Sequence, residues 1–222
     1  MILQAVIYNP PAHTTLDILY EDEHLIILNK PAGLLSVPGR GEDKQDCMIS
    51  RLQLQYPQAL TVHRLDMPTS GILVFALSKS MQREMGKLFE QRKVSKSYIA
   101  KVHGQIKSAT GTIEQPLITD WNNRPKQKID YLHGKPSTTR YRLSSHNEDN
   151  SSTVQLEPVT GRSHQLRVHM SSLGHPILGD ELYGTAASKQ ASERLLLHAQ
   201  GICFLHPVTN KSVEVFCQAE FK

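Results

Sequence analysis

The sequence predicts an α+β fold. Three observations carry that expectation. Short apolar or alternating segments bounded by turn residues recur along the chain and outnumber the helical ones. Two segments carry a strong helical spacing of apolar residues. No internal repeat, low-complexity stretch or clear linker divides the 222 residues. That length holds one good core or two small lobes. The expectation is a single α+β domain spanning residues 1–222, with two lobes.

Each element follows from a local pattern. Residues 17–20 and 25–28 flank the acidic turn Glu21-Asp22-Glu23 and read as two short strands. Lys30-Pro31-Ala32-Gly33 and Pro38-Gly39-Arg40-Gly41 are loop signals. Residues 43–56 read as a helix ended by Pro57. The apolar run 71–77 reads as a buried strand. Ser78 then caps a helix whose Met81, Met85, Leu88 and Phe89 share one face. Tyr98, Ala100 and Val102 alternate along a strand from 97 to 102. Residues 105–145 read as turn-rich and basic, and 153–156 as a strand. A second strong helix follows Thr160-Gly161, with Leu166, Met170 and Leu173 on its apolar face, Gly174 as its cap and Pro176 beyond. Arg167 stands one position off that face and is expected to point toward a cleft. Residues 195–205 and 213–217 read as a terminal hairpin around Pro207-Val208-Thr209-Asn210.

Composition excludes several classes. With 39% hydrophobic and 21% charged residues, the chain is globular in type. No apolar run approaches the roughly 20 residues that span a bilayer, and no secretory signal opens the chain. Cys47, Cys203 and Cys217 are odd in number and widely spaced, so they give neither a disulfide framework nor a metal site. A reducing, cytoplasmic compartment is the expectation. Phosphate-binding, dinucleotide and serine-hydrolase motifs are all missing. His164 and His169, five apart, would lie on different helix faces, so no metal is expected. Net charge is only +4, yet Lys79, Arg83, Lys87, Arg92, Lys93, Lys96 and Lys101 crowd one segment. Arg124, Lys126, Lys128, Lys135, Arg140 and Arg142 crowd another. Such clusters suit either a solvated face or a polyanion such as RNA.

The stretch His63-Arg64-Leu65-Asp66-Met67-Pro68-Thr69-Ser70-Gly71 sets a carboxylate beside a guanidinium, on a loop just before the buried strand. Asp before such a turn commonly bonds its own backbone; loops held by rigid strands also carry catalytic groups. The residues alone leave both uses open.

Four motifs in order resolve that choice by resemblance. Residues 63–71 resemble the catalytic motif of the RluA-type pseudouridine synthases. Residues 96–104, Lys-Ser-Tyr-Ile-Ala-Lys-Val-His-Gly, are similar to a second motif of that family. Residues 160–169, continuing through Gly179-Asp180 and Tyr183-Gly184, are similar to a third, and residues 195–199 to a fourth. Residues 123–128 and Gly134-Lys135-Pro136 resemble the branch that acts on one uridine in large-subunit rRNA and one in the tRNA anticodon stem-loop.

The resemblance implies a central mixed, mostly antiparallel sheet with flanking helices and an active-site cleft between two lobes. It implies a cofactor-independent isomerase that breaks the uridine C1′–N1 bond, turns the base and joins C5 to C1′. Asp66 is the implied catalytic carboxylate, as nucleophile on ring or sugar or as a base at C1′. Arg167 is implied as its ionic partner, and Tyr98 as the residue that stacks on the base. Leu166 would line the base pocket. Arg64 would help extrude the uridine or hold a phosphate. Lys126 and Lys128 would grip RNA. Arg162, His164 and His198 would serve as scaffold. Residues 1–16 are too few for the RNA-binding domain that many relatives carry at that end. RNA is the expected partner, no protein partner or membrane is implied, and a monomer is expected. The competing readings are the same chemistry on a different rRNA or tRNA uridine, and a non-catalytic RNA-binding or remodelling protein. Turnover on stem-loop RNA separates the second from the first.

Overall fold

The computed structural model describes residues 8–221. Part of the 1–16 segment, residues 1–7, therefore lies outside the described residues. Among those described, strands outnumber α-helices twelve to four, as an α+β pattern requires. The chain forms two compact units, Met1–Gly86 and Lys87–Lys222.

The first unit is built on β1 (Ile18–Glu21), β2 (Leu25–Lys30), β3 (Leu60–Thr61) and β4 (Ser70–Ala76). β2 pairs antiparallel with β1 and β4, and β3 pairs antiparallel with β4. All seven residues of β4 are buried. That is why its sequence is a continuous apolar run with no alternation. Each fully buried Leu, Ile or Val of this strand contributes roughly 1.5–3 kcal/mol, so β4 is a firm base for the loop that enters it.

The helix expected over 43–56 is shorter. It resolves into a 3-10 turn at Glu42–Lys44 and α1 (Met48–Gln53). The interruption has a local cause. Cys47 is extended at φ −161°, ψ 171° and donates its N–H to Ser50 Oγ at 2.9 Å. Asp46 takes Arg51 in a two-pronged pair at 2.7 Å through each oxygen. Helix α2 (Lys79–Glu90) starts where Ser78 predicts, its hydroxyl accepting the Met81 N–H at 3.1 Å. Met81 and Met85 are buried, and Leu88 and Phe89 half-buried.

The second unit contains β5 (Ser95–His103), β6 (Thr110–Glu114), β7 (Leu117–Thr119), β8 (Gln127–Ile129), β9 (Thr138–His146), β10 (Ser151–Pro158), β11 (Leu197–Leu205) and β12 (Ser212–Phe216). Its strands run in the order β12-β11-β5-β10-β9-β6, each pair antiparallel. β7 and β8 form a separate hairpin. Alternate residues of β5, β9 and β10 face inward: Ala100 and Val102, Tyr141, Val154 and Leu156. They close a core with Leu166 and Met170 of α3 (Gln165–Ser172).

Two expectations are corrected here. The turn-rich segment 105–145 holds four strands, β6 to β9. β7 and β8 are only three residues long, and β9 turns Arg140 and Arg142 outward, so charge masks the alternation. Leu173 is not on the buried face of α3; it is the C-cap and 40% exposed. Six consecutive residues, Gln165 to Met170, are buried instead. A short helix that the pattern did not announce, α4 (Ala186–Gln190), is capped by Thr185, whose hydroxyl accepts the Ser188 N–H at 3.2 Å.

Candidate active site

In the first unit, Asp66 sits on the loop between β3 and β4. The Asp66 backbone closes the turn: Thr69 N–H donates to the Asp66 carbonyl at 3.1 Å. Both neighbours of Asp66 are clamped. Leu65 N–H donates to Ser36 Oγ at 3.1 Å, and that hydroxyl donates to the Leu65 carbonyl at 2.8 Å. The Met67 carbonyl accepts from Gly33 N–H at 2.9 Å and from Lys30 Nζ at 3.2 Å. Three residues earlier, His63 Nε2 accepts the Val74 N–H at 3.1 Å, tying the loop to β4. Asp66 itself is half-buried, and Arg64 points into solvent.

Lys30 was read in the sequence only as part of a loop. It is fully buried, and its Nζ also donates to the carbonyls of Pro31 and Leu34, each at 2.8 Å. An ammonium has three donors, and all three meet carbonyl oxygens. Burial pushes this lysine down from its ordinary 10.5 to about 7, while the negative charge of Asp66 acts in the opposite direction. The sequence signal was weak: a lysine between an apolar strand and Pro-Ala-Gly ordinarily reads as a turn charge.

In the second unit, Tyr98 on β5 packs against the cluster that contains Leu166, so these two expected site residues share one apolar surface. Arg167, the next residue of α3, is 3% exposed. Its Nε and one terminal nitrogen bind the two carboxylate oxygens of Asp180 at 2.8 and 2.7 Å. Asp180 was part of the third motif, but no role was read for it. It is held by its own surroundings: its Oδ1 also accepts the N–H groups of Leu182 and Tyr183 at 3.0 and 3.1 Å. Gly179, just before it, is at φ +72°, and a Cβ there would meet the Arg194 carbonyl oxygen at 1.9 Å. Glycine is therefore required for the turn that presents Asp180.

The rest of α3 is anchored by polar bonds. Gln165 accepts from Thr160 Oγ1 at 2.7 Å and from Arg162 N–H at 3.0 Å. Its amide nitrogen donates to Thr138 O and Thr139 Oγ1 at 2.9 and 3.0 Å. His169 Nε2 donates to the Gln115 carbonyl at 3.0 Å, and its Nδ1 meets Thr139 Oγ1 at 2.9 Å. Burial holds this imidazole below its ordinary value. His198 donates to the Cys217 carbonyl at 3.0 Å and is lowered by burial too. His164, the N-cap, adopts the left-handed region at φ 54°, which costs a non-glycine residue about 1–3 kcal/mol. Its ring meets Tyr183 Oη at 2.6 Å.

Tyr183 joins the expected RNA-gripping hairpin to this helix. Gln127, between Lys126 and Lys128, donates its N–H to Tyr183 Oη at 2.7 Å. The Arg167 guanidinium lies 5.2 Å from the Tyr183 ring centre. Lys128 is exposed and Lys126 half-buried. A hollow of about 570 Å³ lies elsewhere, on the sheet face opposite Tyr98, where Ser97, Thr112, Arg140 and Gln155 line it. Among the described residues, no group of three or more His, Cys, Asp or Glu side chains could hold a metal ion, and no helix is long and apolar enough to cross a membrane.

Comparison with known proteins adds a family to this geometry. The RNA pseudouridylate synthase family matches residues 24–172. The "Dual-specificity RNA pseudouridine synthase RluA" of Escherichia coli (strain K12) is 50% identical over 214 residues, covering 96% of this chain and 98% of that protein. The protein of the same name from Vibrio parahaemolyticus is 48% identical over 218 residues, covering 96% and 87%. Among solved structures, "Human RNA Pseudouridylate Synthase Domain Containing 1" is 31% identical with a TM-score of 0.79, covering 96% of this chain and 87% of that one. The corresponding human domain 4 protein is 25% identical with a TM-score of 0.73, covering 92% and 89%.

Two outcomes follow from the buried charges. Asp180→Asn removes the carboxylate that holds buried Arg167 in a two-pronged pair, and breaking such a pair costs about 3–5 kcal/mol. In a chain of this size, that appears as a fall of roughly 6 °C or more in Tm; an unchanged Tm would mean Arg167 is held by other groups. For Lys30, the unfolded side chain keeps its proton up to about 10.5 while the folded one sheds it from about 7. Between those values the unfolded state binds more protons, so this group makes stability rise with pH. Lys30→Met removes that contribution. Urea unfolding of both proteins from pH 7 to 10 should show their stability difference widening, and a constant difference would count against it.

Proposed function

The chain belongs to the RNA pseudouridylate synthase family, and from that premise we propose that it isomerises uridine to pseudouridine in two RNAs, a large-subunit rRNA and a tRNA anticodon stem-loop. The dual specificity stands in the names of relatives about half identical over 96% of this chain. Resemblance to that branch supplies the two RNA classes. The observation in this molecule that best supports the reading is the double clamp on Leu65 and Met67, which fixes the backbone on both sides of Asp66. A reacting carboxylate has to be held at close to its working position before substrate arrives.

In this reading Asp66, ionised, is the catalytic carboxylate. The C1′–N1 bond breaks, the base turns, and C5 bonds to C1′. The C5 proton leaves and N1 gains one, so the products balance with no oxidant or energy donor. Tyr98 stacks on the target base, and Leu166, which shares its apolar surface, walls the base pocket. Arg167 is the cation of the site, with Asp180 as its positioning residue. Arg64, in solvent, reaches toward the duplex to help extrude the uridine or to hold a phosphate. Lys126 and Lys128 take phosphates. The whole chain serves as one catalytic domain, monomeric in solution and acting in the cytoplasm.

Three experiments bear on this. Asp66→Asn should lower pseudouridine formation on a stem-loop RNA by about four orders of magnitude or more, with RNA affinity largely retained. Normal turnover in that variant would remove Asp66 from the chemistry. Loss of the gene should remove one rRNA and one tRNA pseudouridine together, as mapped in total RNA. Charge reversal at Lys126 and Lys128 should weaken binding and reduce the slope of log K against log salt by about 1.4–1.8, the share of two phosphates. An unchanged slope would place the RNA elsewhere.

A further inference from the structure

Three large apolar side chains stand in solvent on or just after the β7–β8 hairpin: Trp121 at 68% exposed, Tyr131 at 74% and Leu132 at 88%. Single exposed apolar residues are ordinary, but Trp121 stands among cations. The surrounding charge is basic, from Arg124, Lys126, Lys128 and Lys135. The two acids nearby are engaged locally. Asp120 Oδ2 accepts from Asn123 Nδ2 at 2.8 Å, and Asp130 Oδ1 accepts the N–H groups of Leu132 and His133 at 3.0 and 2.9 Å.

Trp121 is held out on a braced loop. Asn123 N–H donates to the Asp120 carbonyl and Lys126 N–H to the Asn123 carbonyl, each at 3.0 Å. Asp120 N–H donates to the Lys126 carbonyl at 2.9 Å and closes the tip. The Arg124 guanidinium stacks 4.5 Å from the indole centre, so one cation is already paired with the ring. Through Gln127 and Tyr183 the same hairpin is fastened to the turn that holds Arg167.

Resting on the RNA reading above, we propose that Trp121, backed by Arg124, is a stacking platform for one unpaired base of the RNA other than the uridine being isomerised. The flanking lysines would take the phosphates on either side of it. A rigid aromatic beside cations is the recurring device for holding unpaired nucleotides, and it works for any base because every base has a π-face. A platform of this kind selects loop shape over loop sequence. It thereby gives a physical route for one site to accept two RNAs whose loops differ in sequence but share an unpaired base at the same distance from the target.

Trp121 is the single tryptophan of the chain, so its fluorescence reports this position alone. Titration of the full-length protein with a stem-loop RNA should quench it, and a blunt duplex of the same stem should not. Trp121→Ala should weaken stem-loop binding by about 5- to 150-fold, the worth of one stacked base. The loss is expected to fall on Kd and KM more than on turnover at saturating RNA. Trp121→Phe, which keeps a ring, should recover most of the affinity. Unaltered fluorescence on binding, equal quenching by the duplex, or wild-type affinity in Trp121→Ala would each overturn the platform while normal pseudouridine formation left the enzyme reading standing. Absence of pseudouridine in any RNA offered to the wild-type protein would instead overturn the reading on which the platform rests.

Discussion

A helix buried on every side must pair each polar group it carries, and α3 is such a helix. Gln165 to Met170 are all buried, yet three of those six residues are Gln165, Arg167 and His169. An unpaired buried charge or amide costs several kcal/mol. The surrounding elements are shaped to meet that requirement. β9 supplies Thr138 and Thr139 to Gln165 and His169. The turn after α3 supplies Asp180 to Arg167, and Gly179 lets that turn form. Leu166 and Met170 take what remains of the surface into the apolar core. The helix thus has one rotation and one depth at which every group is satisfied, and this fixes the direction of the Arg167 guanidinium without any substrate present.

The first unit meets a similar problem from the opposite side. The Asp66 loop is irregular backbone close to a buried strand, and its carbonyls need donors where water is scarce. Lys30 donates to Met67 O in that loop and to Pro31 O and Leu34 O in the loop after β2, at the cost of burying an amine whose charged form is disfavoured there. Ser36 supplies another and receives one back. A neutral side chain could not bring three donors to one point, which explains a lysine in a position that composition would assign to a leucine. The backbone on both sides of Asp66 is fixed by residues that are themselves buried.

Much of this was legible in the sequence. The buried strand before α2, the Ser78 cap and the Tyr98 alternation follow from local pattern, because their partners lie within a few residues or along one face. What stayed illegible depends on distant partners. The burial of Lys30 depends on Met67, 37 positions away, and Asp180 acquires its meaning only beside Arg167. Among the strands that begin between 105 and 145, β7 and β8 were hidden by their three-residue length and β9 by its outward Arg140 and Arg142. The expectation over 43–56 broke for a local reason instead: Cys47 is extended and bonds Ser50, while Asp46 pairs with Arg51.

The two kinds of residue differ in how they are held, and that difference bears on how chemistry and recognition separate in this molecule. Arg167 and the neighbours of Asp66 are locked by buried polar bonds, which suits a reaction that tolerates little displacement. The hairpin residues Trp121, Tyr131, Lys128 and Leu132 keep their side chains in solvent, on a backbone braced by turn bonds. Such a surface can accept RNAs of different sequence at small energetic cost. The bond from hairpin backbone to the helix side, Gln127 N–H to Tyr183 Oη, then carries weight beyond its roughly 1 kcal/mol. Because Tyr183 also faces Arg167 and meets His164, an RNA that shifted the hairpin would have to disturb the packing around Arg167. One phenol thus links the hairpin backbone, His164 and the Arg167 guanidinium.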